Sequence, residues 1–129
     1  MINASSNPYQ IYRQTAVETA SPAKLLIMLF DGAIKFSNEA KQALEQKEFE
    51  NANNAMLKVQ DILSELMVTL DMNQGDMAKH LYNLYKFYQG EVISANIQKD
   101  PLKLQPVIEF FEMFRETWIE VSKKVREEH

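Results

Sequence analysis

The sequence predicts an all-α fold, an antiparallel up-down four-helix bundle with a short N-terminal cap segment. Apolar residues recur at steps of three and four through most of the 129 residues, which is the period of helices that bury one face. Four such segments of similar length are joined by short connections, so consecutive helices pack as antiparallel neighbours. We expect a cap segment at about 1–20 and one bundle domain at about 21–129, with helices at about 22–46, 48–72, 76–98 and 102–127.

The first helix carries more apolar surface than one packed face can use. It begins at Ser21-Pro22, because serine caps helices and proline suits the first helical position. A second apolar stripe, formed by Ile27, Phe30 and Ile34, lies about 100° from the main one. This second stripe needs cover from another part of the chain or from a partner. The main stripe consists of Leu26, Leu29, Ala33, Phe36, Ala40 and Ala43.

The second and third helices repeat the same spacing. Between them, Asn73-Gln74-Gly75-Asp76 is typical of a turn in which Asp76 caps the next helix. The third helix also carries Tyr82, Tyr85 and Phe87, a larger aromatic load than one buried face can hide. The second helix is expected to turn inward Phe49, Ala52, Met56, Val59, Leu63, Leu66 and Leu70, and the third Met77, Leu81, Leu84, Tyr88, Val92 and Ala95.

The fourth helix starts close to two prolines. Asp100-Pro101 ends the third helix, and the regular part of the fourth starts between Pro101 and Gln105 because Pro106 is tolerated only in the first turns. Its inward stripe is expected to comprise Leu104, Val107, Phe111, Phe114, Trp118, Val121 and Val125, with Phe110 and Met113 to one side.

Composition excludes several classes of function. The net charge of −4 on a mixed surface makes nucleic acid an improbable partner, and the absence of cysteine removes thiolate metal sites and thiol catalysis. No apolar run approaches the about 20 residues of a membrane span, and the polar start is not a signal peptide. Carboxylates and histidines show no metal-ligand spacing. We therefore expect a cytoplasmic protein that is not an enzyme and has no cofactor, metal or membrane insertion.

His80 supports an alternative function. Phosphotransfer domains are four-helix bundles with one exposed histidine, so a signalling bundle that is phosphorylated on His80 is the second hypothesis. The residues around it, Lys79-His80-Leu81-Tyr82-Asn83, lack the lysine and small residue that usually follow such a histidine. The ordinary interpretation is a surface or cap-proximal histidine.

The surplus of apolar residues has two interpretations. These side chains either complete the core, with the seven methionines filling gaps, or they form a groove that accepts amphipathic helices from a partner. For any single residue the two are equally plausible, but complete burial of the whole set is harder to arrange. The set includes Ile27, Phe30, Ile34, Met67, Tyr82, Tyr85, Phe87, Ile93, Phe110 and Met113.

Several motifs, in this order and spacing, resemble the flagellin-specific export chaperones of bacterial flagella. They are Asn7-Pro8-Tyr9 with Tyr12, Ala20-Ser21-Pro22, the segment from Leu25 to Ala33, Leu84-Tyr85 with Phe87, Ala95-Asn96, and Trp118. The resemblance covers nearly the whole chain. It implies a helical bundle that binds the C-terminal region of new flagellin in the cytoplasm, prevents premature polymerisation and assists delivery to the export gate.

The predicted partner-binding residues lie in two regions. In the cap segment, Tyr9 and Tyr12 either cover an apolar site until the client displaces them or contact the export gate, a role that the resemblance suggests. The alternative is that both are permanent packing residues. On the bundle, Asn96 either contacts the client backbone or completes an internal hydrogen bond. The full set is Tyr9, Tyr12, Ile27, Phe30, Met67, Leu70, Tyr82, Tyr85, Ile93 and Asn96.

Overall fold

The protein is an all-α four-helix bundle, which confirms the predicted fold class. The computed structural model describes the backbone of residues 22–128, and the side chains of that range apart from Gln74 and residues 125–128. The predicted cap segment, with Tyr9 and Tyr12, therefore lies outside the described residues. The helices are α1 (Pro22–Glu45), α2 (Phe49–Val68), α3 (Asp76–Gln98) and α4 (Gln105–Glu128), with 3-10 turns at Met72–Gln74 and Pro101–Leu104.

The helices differ in how closely they pack. Helix α1 packs most extensively on α2 and also on α4, and α2 packs on α3, whereas the backbones of α3 and α4 approach each other at few points. Polar contacts also join α1 to α4, since Lys41 Nζ donates to Gln105 Oε1 at 2.8 Å and Arg115 donates to Asp31.

Helix α4 covers the second apolar stripe of α1. Phe30 is 0% exposed and packs against Phe111 and Phe114, with ring centroids 6.4 and 6.1 Å apart. The chain itself therefore covers Phe30, which is one of the two sources of cover considered for this stripe, and a partner contact at Phe30 stays a prediction. Ile34 packs partly buried against the same core.

The first half of α3 differs from the predicted inward stripe, whereas Val92 and Ala95 are buried as predicted. The buried residues of α3 are Ala78, Tyr85, Val92 and Ala95, and Tyr85 is only 2% exposed. The predicted exposure of Tyr85 is therefore wrong, as is the predicted burial of Met77 and Leu84, which are exposed. Tyr85 turns inward because it meets two α4 aromatics edge to face. The ring centroids of Phe110 and Phe114 lie 6.1 and 6.3 Å from that of Tyr85.

Two lysines end helices where no glycine is present. Lys47 and Lys99 have positive φ of 59° and 54°, and the amides that follow them donate to carbonyls five residues back, Glu48 N to Ala43 O and Asp100 N to Ala95 O. This left-handed closure is usually made by glycine. The end of α1 consequently had no sequence signal beyond the phase of the next stripe.

The start of α3 differs from the predicted cap. Gly75 precedes the helix with φ 89°, Asp76 is already helical, and no side-chain cap bond is present there. The positive φ explains the difference, because glycine adopts it at little cost. At the start of α4, Pro106 is the second residue of the helix, which confirms its predicted position in the first turns.

We expect Gly90→Ala to raise the free energy of unfolding by about 0.5–1 kcal/mol, because glycine in a helix interior costs backbone entropy. An added Cβ at Gly90 meets nothing within 4 Å. Gly32→Ala is the matched control, since its Cβ would lie 3.3 Å from Ile62 Cδ1 and some of the gain would be lost to crowding. Urea denaturation measures both variants, and an equal or larger gain at Gly32 would contradict the prediction.

Candidate functional site

An apolar pocket of about 330 Å³ opens at the end of the bundle where α1 begins. Helices α1, α3 and α4 contribute to it, together with the segment that follows α2. Its volume is at the lower end of the range for ligand pockets, about 300–1,000 Å³. The residues that line the apolar pocket are Pro22, Leu25, Leu26, Thr69, Leu70, Asp71, Met77, Ala78, Leu81, Tyr85 and Trp118.

The pocket exists because α3 and α4 meet through few side chains. Their main contacts are aromatic, and the closest is the stack of Tyr88 on Phe110, with ring centroids 4.1 Å apart. Two turns before Tyr85 the inward position of α3 is held by Ala78, whose small side chain leaves volume unfilled. On the α4 side only Trp118 reaches this volume, and it is half-buried.

The polar groups of the apolar pocket are few and largely engaged. Thr69 Oγ1 donates to the Leu66 carbonyl at 2.6 Å, and Asp71 Oδ1 accepts from the backbone amide of Asn73 at 3.0 Å. Burial raises the pKa of the Tyr85 hydroxyl to about 12. The pocket therefore suits apolar side chains.

A second surface, the α2–α3 groove, has a volume of about 340 Å³. Its polar wall is set by Gln89, whose Nε2 donates to Gln60 O at 3.0 Å and to Ser64 Oγ at 2.9 Å. Lys86 lies over the Tyr82 ring at 5.9 Å. The groove is lined by Ser64, Met67, Val68, Tyr82, Lys86 and Gln89, so it combines apolar contact with one cation.

Asn96 lies further along the same pair of helices. Its Nδ2 donates to Asn53 Oδ1 at 2.8 Å, and its Oδ1 accepts from Lys99 Nζ at 3.0 Å. Of the two roles considered for Asn96, the internal hydrogen bond is the one present. Each end of the amide can form one more hydrogen bond, and a client contact at Asn96 stays a prediction.

The predicted bundle residues fall into three groups. Leu70 and Tyr85 line the apolar pocket, and Met67 and Tyr82 line the α2–α3 groove. Ile27, Phe30, Ile93 and Asn96 line neither surface: Ile27 is half-buried on α1, Phe30 is in the core, Ile93 is exposed on α3, and Asn96 is hydrogen-bonded within the bundle. The structure thus separates one predicted groove into two surfaces on different sides of α3.

Sequence reasoning assigned several pocket residues to the core. Leu26, Met77, Leu81 and Trp118 were placed in inward stripes, yet all of them border the apolar pocket. The sequence feature that these four residues share, and that could have identified them, is a position near the end of an inward stripe. Inward side chains at the end of a bundle have neighbours on fewer sides than those at its middle.

A third cavity differs in character from these two surfaces. A polar cavity of about 460 Å³ lies near the α1–α2 connection and is lined mainly by amides and carboxylates. Within residues 22–128, no three His, Asp or Glu side chains lie close enough to hold a metal ion. His80 is exposed on α3. Phosphotransfer at His80 stays a prediction, which labelling with a small phosphodonor would test.

We expect Tyr85→Phe to leave stability at neutral pH nearly unchanged and to reduce its loss in alkali. The pKa of Tyr85 is about 12 in the folded chain against 10.0 for a free tyrosine. The unfolded chain therefore loses this proton at a lower pH than the folded chain does. The contribution of Tyr85 to the free energy of unfolding is complete below about pH 10 and is lost as the pH rises towards about 12. Urea unfolding at pH 8 and pH 11 measures the effect. Tyr82→Phe, at a half-buried tyrosine, is the control, and equal alkaline loss in wild type and Tyr85→Phe would contradict the prediction.

None of the helices among the described residues combines the length and apolar character needed to cross a membrane.

Comparison with known proteins gives one consistent match. The family model described as "Flagellar protein FliS" matches residues 5–125. The chain is 33% identical over 125 residues to the flagellar secretion chaperone FliS of Bacillus subtilis, covering 97% of this chain and 93% of the relative. It is 32% identical to that of Vibrio cholerae, covering 87% and 86%. It is 31% identical to that of Salmonella typhimurium, covering 89% and 87%.

Proposed function

Because the chain belongs to the FliS family of flagellar secretion chaperones, whose role is non-enzymatic, we propose that its client is flagellin and that it binds the C-terminal region of flagellin. The observation that carries this proposal is the apolar pocket, which is open at the bundle end and lined by side chains of α1, α3, α4 and the segment that follows α2. A surface of this kind suits the apolar face of an amphipathic segment.

The α2–α3 groove supports a client that contacts more than one face. A single docked helix with four large apolar anchors contributes roughly 6–12 kcal/mol gross. Ordering an unfolded segment costs about 2–5 kcal/mol, and association at least about 4 kcal/mol. The net binding free energy of one helix is therefore smaller than about 8 kcal/mol, the value that corresponds to micromolar affinity. We therefore expect the client to reach both the apolar pocket and the α2–α3 groove.

The cap segment has a defined place in this proposal. Residues 1–21 directly precede Pro22, which lines the apolar pocket. Tyr9 and Tyr12 either occupy the pocket until flagellin displaces them or contact the export gate. Deletion of residues 1–17 raises client affinity in the first case and leaves it unchanged in the second.

The proposed action follows from covering the client. Segments that are bound to the chaperone in the cytoplasm are unavailable for contact with other flagellin molecules, so premature polymerisation is prevented. Binding also keeps the client unfolded and competent for delivery to the export gate. The chaperone supplies surface rather than chemistry.

Calorimetry with flagellin peptides tests the proposal. The C-terminal region of flagellin from the same cell should bind the full chain with micromolar or tighter affinity, about 8 kcal/mol or more. Single helices of that region should bind at least tenfold more weakly. Equal affinity for one helix and the whole region would exclude a client that reaches both surfaces, and no binding of the whole region would exclude flagellin as the client.

A further inference from the structure

Each of the two proposed client surfaces contains a methionine within reach of solvent. Met77 lines the apolar pocket and is 69% exposed, and Met67 lines the α2–α3 groove half-buried. Met56, by contrast, is fully buried in the core. The chain has no cysteine, so thioethers are its readily oxidised sulfur groups.

We propose that Met77 and Met67 are modification sites at which oxidation by a peroxide weakens client binding, an inference that rests on the proposed function for the identity of the client. The thioether sulfur attacks one oxygen of hydrogen peroxide. The O–O bond breaks as the S–O bond forms, and the other oxygen leaves as hydroxide, which takes the proton of the oxygen now bound to sulfur and becomes water. Sulfur loses two electrons and the peroxide gains them, which gives a sulfoxide that methionine sulfoxide reductases can reverse.

The surroundings of Met77 predict that its oxidation to the sulfoxide weakens client binding. A sulfoxide is a strong hydrogen-bond acceptor, so a client that covers it must remove its water. Most of the pocket lining is apolar, and the Thr69 hydroxyl already donates to Leu66 O. Sulfoxide at Met77 would therefore be covered without an obvious donor, and client affinity falls by about tenfold, the lower part of the range for an unpaired buried polar group.

The surroundings of Met67 predict a smaller effect. Lys86 lines the same groove, and its ammonium can donate to a sulfoxide oxygen. The amide of Gln89 is already bonded to Gln60 O and Ser64 Oγ, so it contributes less. Oxidation of Met77 accordingly dominates the response.

The experiment compares wild-type, Met77→Leu and Met113→Leu full-length chains before and after treatment with hydrogen peroxide. Leucine keeps the apolar volume and resists oxidation. Met113 is 58% exposed but lines neither surface, so its variant is the matched control. Peptide mapping by mass spectrometry identifies the oxidised residues. Binding is measured for anilinonaphthalene sulfonate, a dye that reports open apolar surface, and for the C-terminal region of flagellin.

Oxidised wild type and Met113→Leu should each lose about tenfold affinity for both probes relative to their untreated forms. Met77→Leu should retain most of its own untreated affinity. Unchanged dye affinity when mapping shows Met77 oxidised would overturn the inference, as would an equal loss in Met77→Leu. If dye binding responds as expected but untreated protein does not bind flagellin, the proposed function fails and the oxidation site stands.

Discussion

Phe30→Ala is expected to lower the free energy of unfolding by about 3–5 kcal/mol, the range for truncation of a buried phenylalanine. Phe30 is 0% exposed and contacts the rings of Phe111 and Phe114. Its removal leaves a cavity between α1 and α4, beside Phe111 and Phe114. Urea denaturation monitored by circular dichroism measures the change. Phe30→Leu, which keeps most of the volume, should cost clearly less and stay folded if the alanine variant does not.

Phe87 provides the matched control for Phe30. It is the same residue type, lies within α3 and is 58% exposed. Phe87→Ala should change the free energy of unfolding by less than about 1 kcal/mol, because little buried volume is lost. Similar costs at Phe30 and Phe87 would show that α4 does not cover the second stripe of α1 as the structure places it.

Met77→Glu is expected to weaken binding of the flagellin C-terminal region by roughly a hundredfold, since an unpaired charge covered by an apolar client costs about 2–4 kcal/mol. The fold should be unaffected. Met77 is exposed in the first turn of α3, where a carboxylate interacts favourably with the helix dipole. Calorimetry measures the affinity, and thermal unfolding confirms that the variant is folded.

Two further variants separate burial from charge attraction. Met77→Lys should weaken binding to a similar extent if the pocket receives apolar side chains, whereas opposite effects of Glu and Lys would indicate a charged client residue there. Met113→Glu places the same charge on an exposed methionine of α4 outside both surfaces. Equal losses at Met77 and Met113 would mean that the apolar pocket is not the docking site.

The positions of the helices could be predicted closely, but their exact ends could not. Three-four periodicity and proline placement located all four helices, and Pro106 lies in the first turn of α4 as predicted. Helix α2 was expected to reach about 72 but ends at Val68, and the end of α1 depends on Lys47 in the left-handed region. Lysine gives no sequence signal for that conformation, because its side chain does not favour it over helix.

The candidate site was predicted only in part, because spacing within a helix does not determine which neighbour covers each face. Ala78 and Tyr85 occupy the inward phase of α3 where Met77 and Leu84 were expected, since Tyr85 packs on the aromatics of α4. The aromatic residues that Tyr85 contacts belong to α4, so the sequence of α3 alone does not predict these contacts.

The sequence by itself determined the all-α class, the four helices and an apolar content larger than one face per helix requires. Only the tertiary structure decided which of those side chains are buried. Helix α4 covers Phe30, while the sparse packing between α3 and α4 leaves the apolar pocket open beside Tyr85 and Trp118. The physical reason is that periodicity depends on local backbone geometry, whereas burial depends on the volume and position of side chains that are distant in sequence.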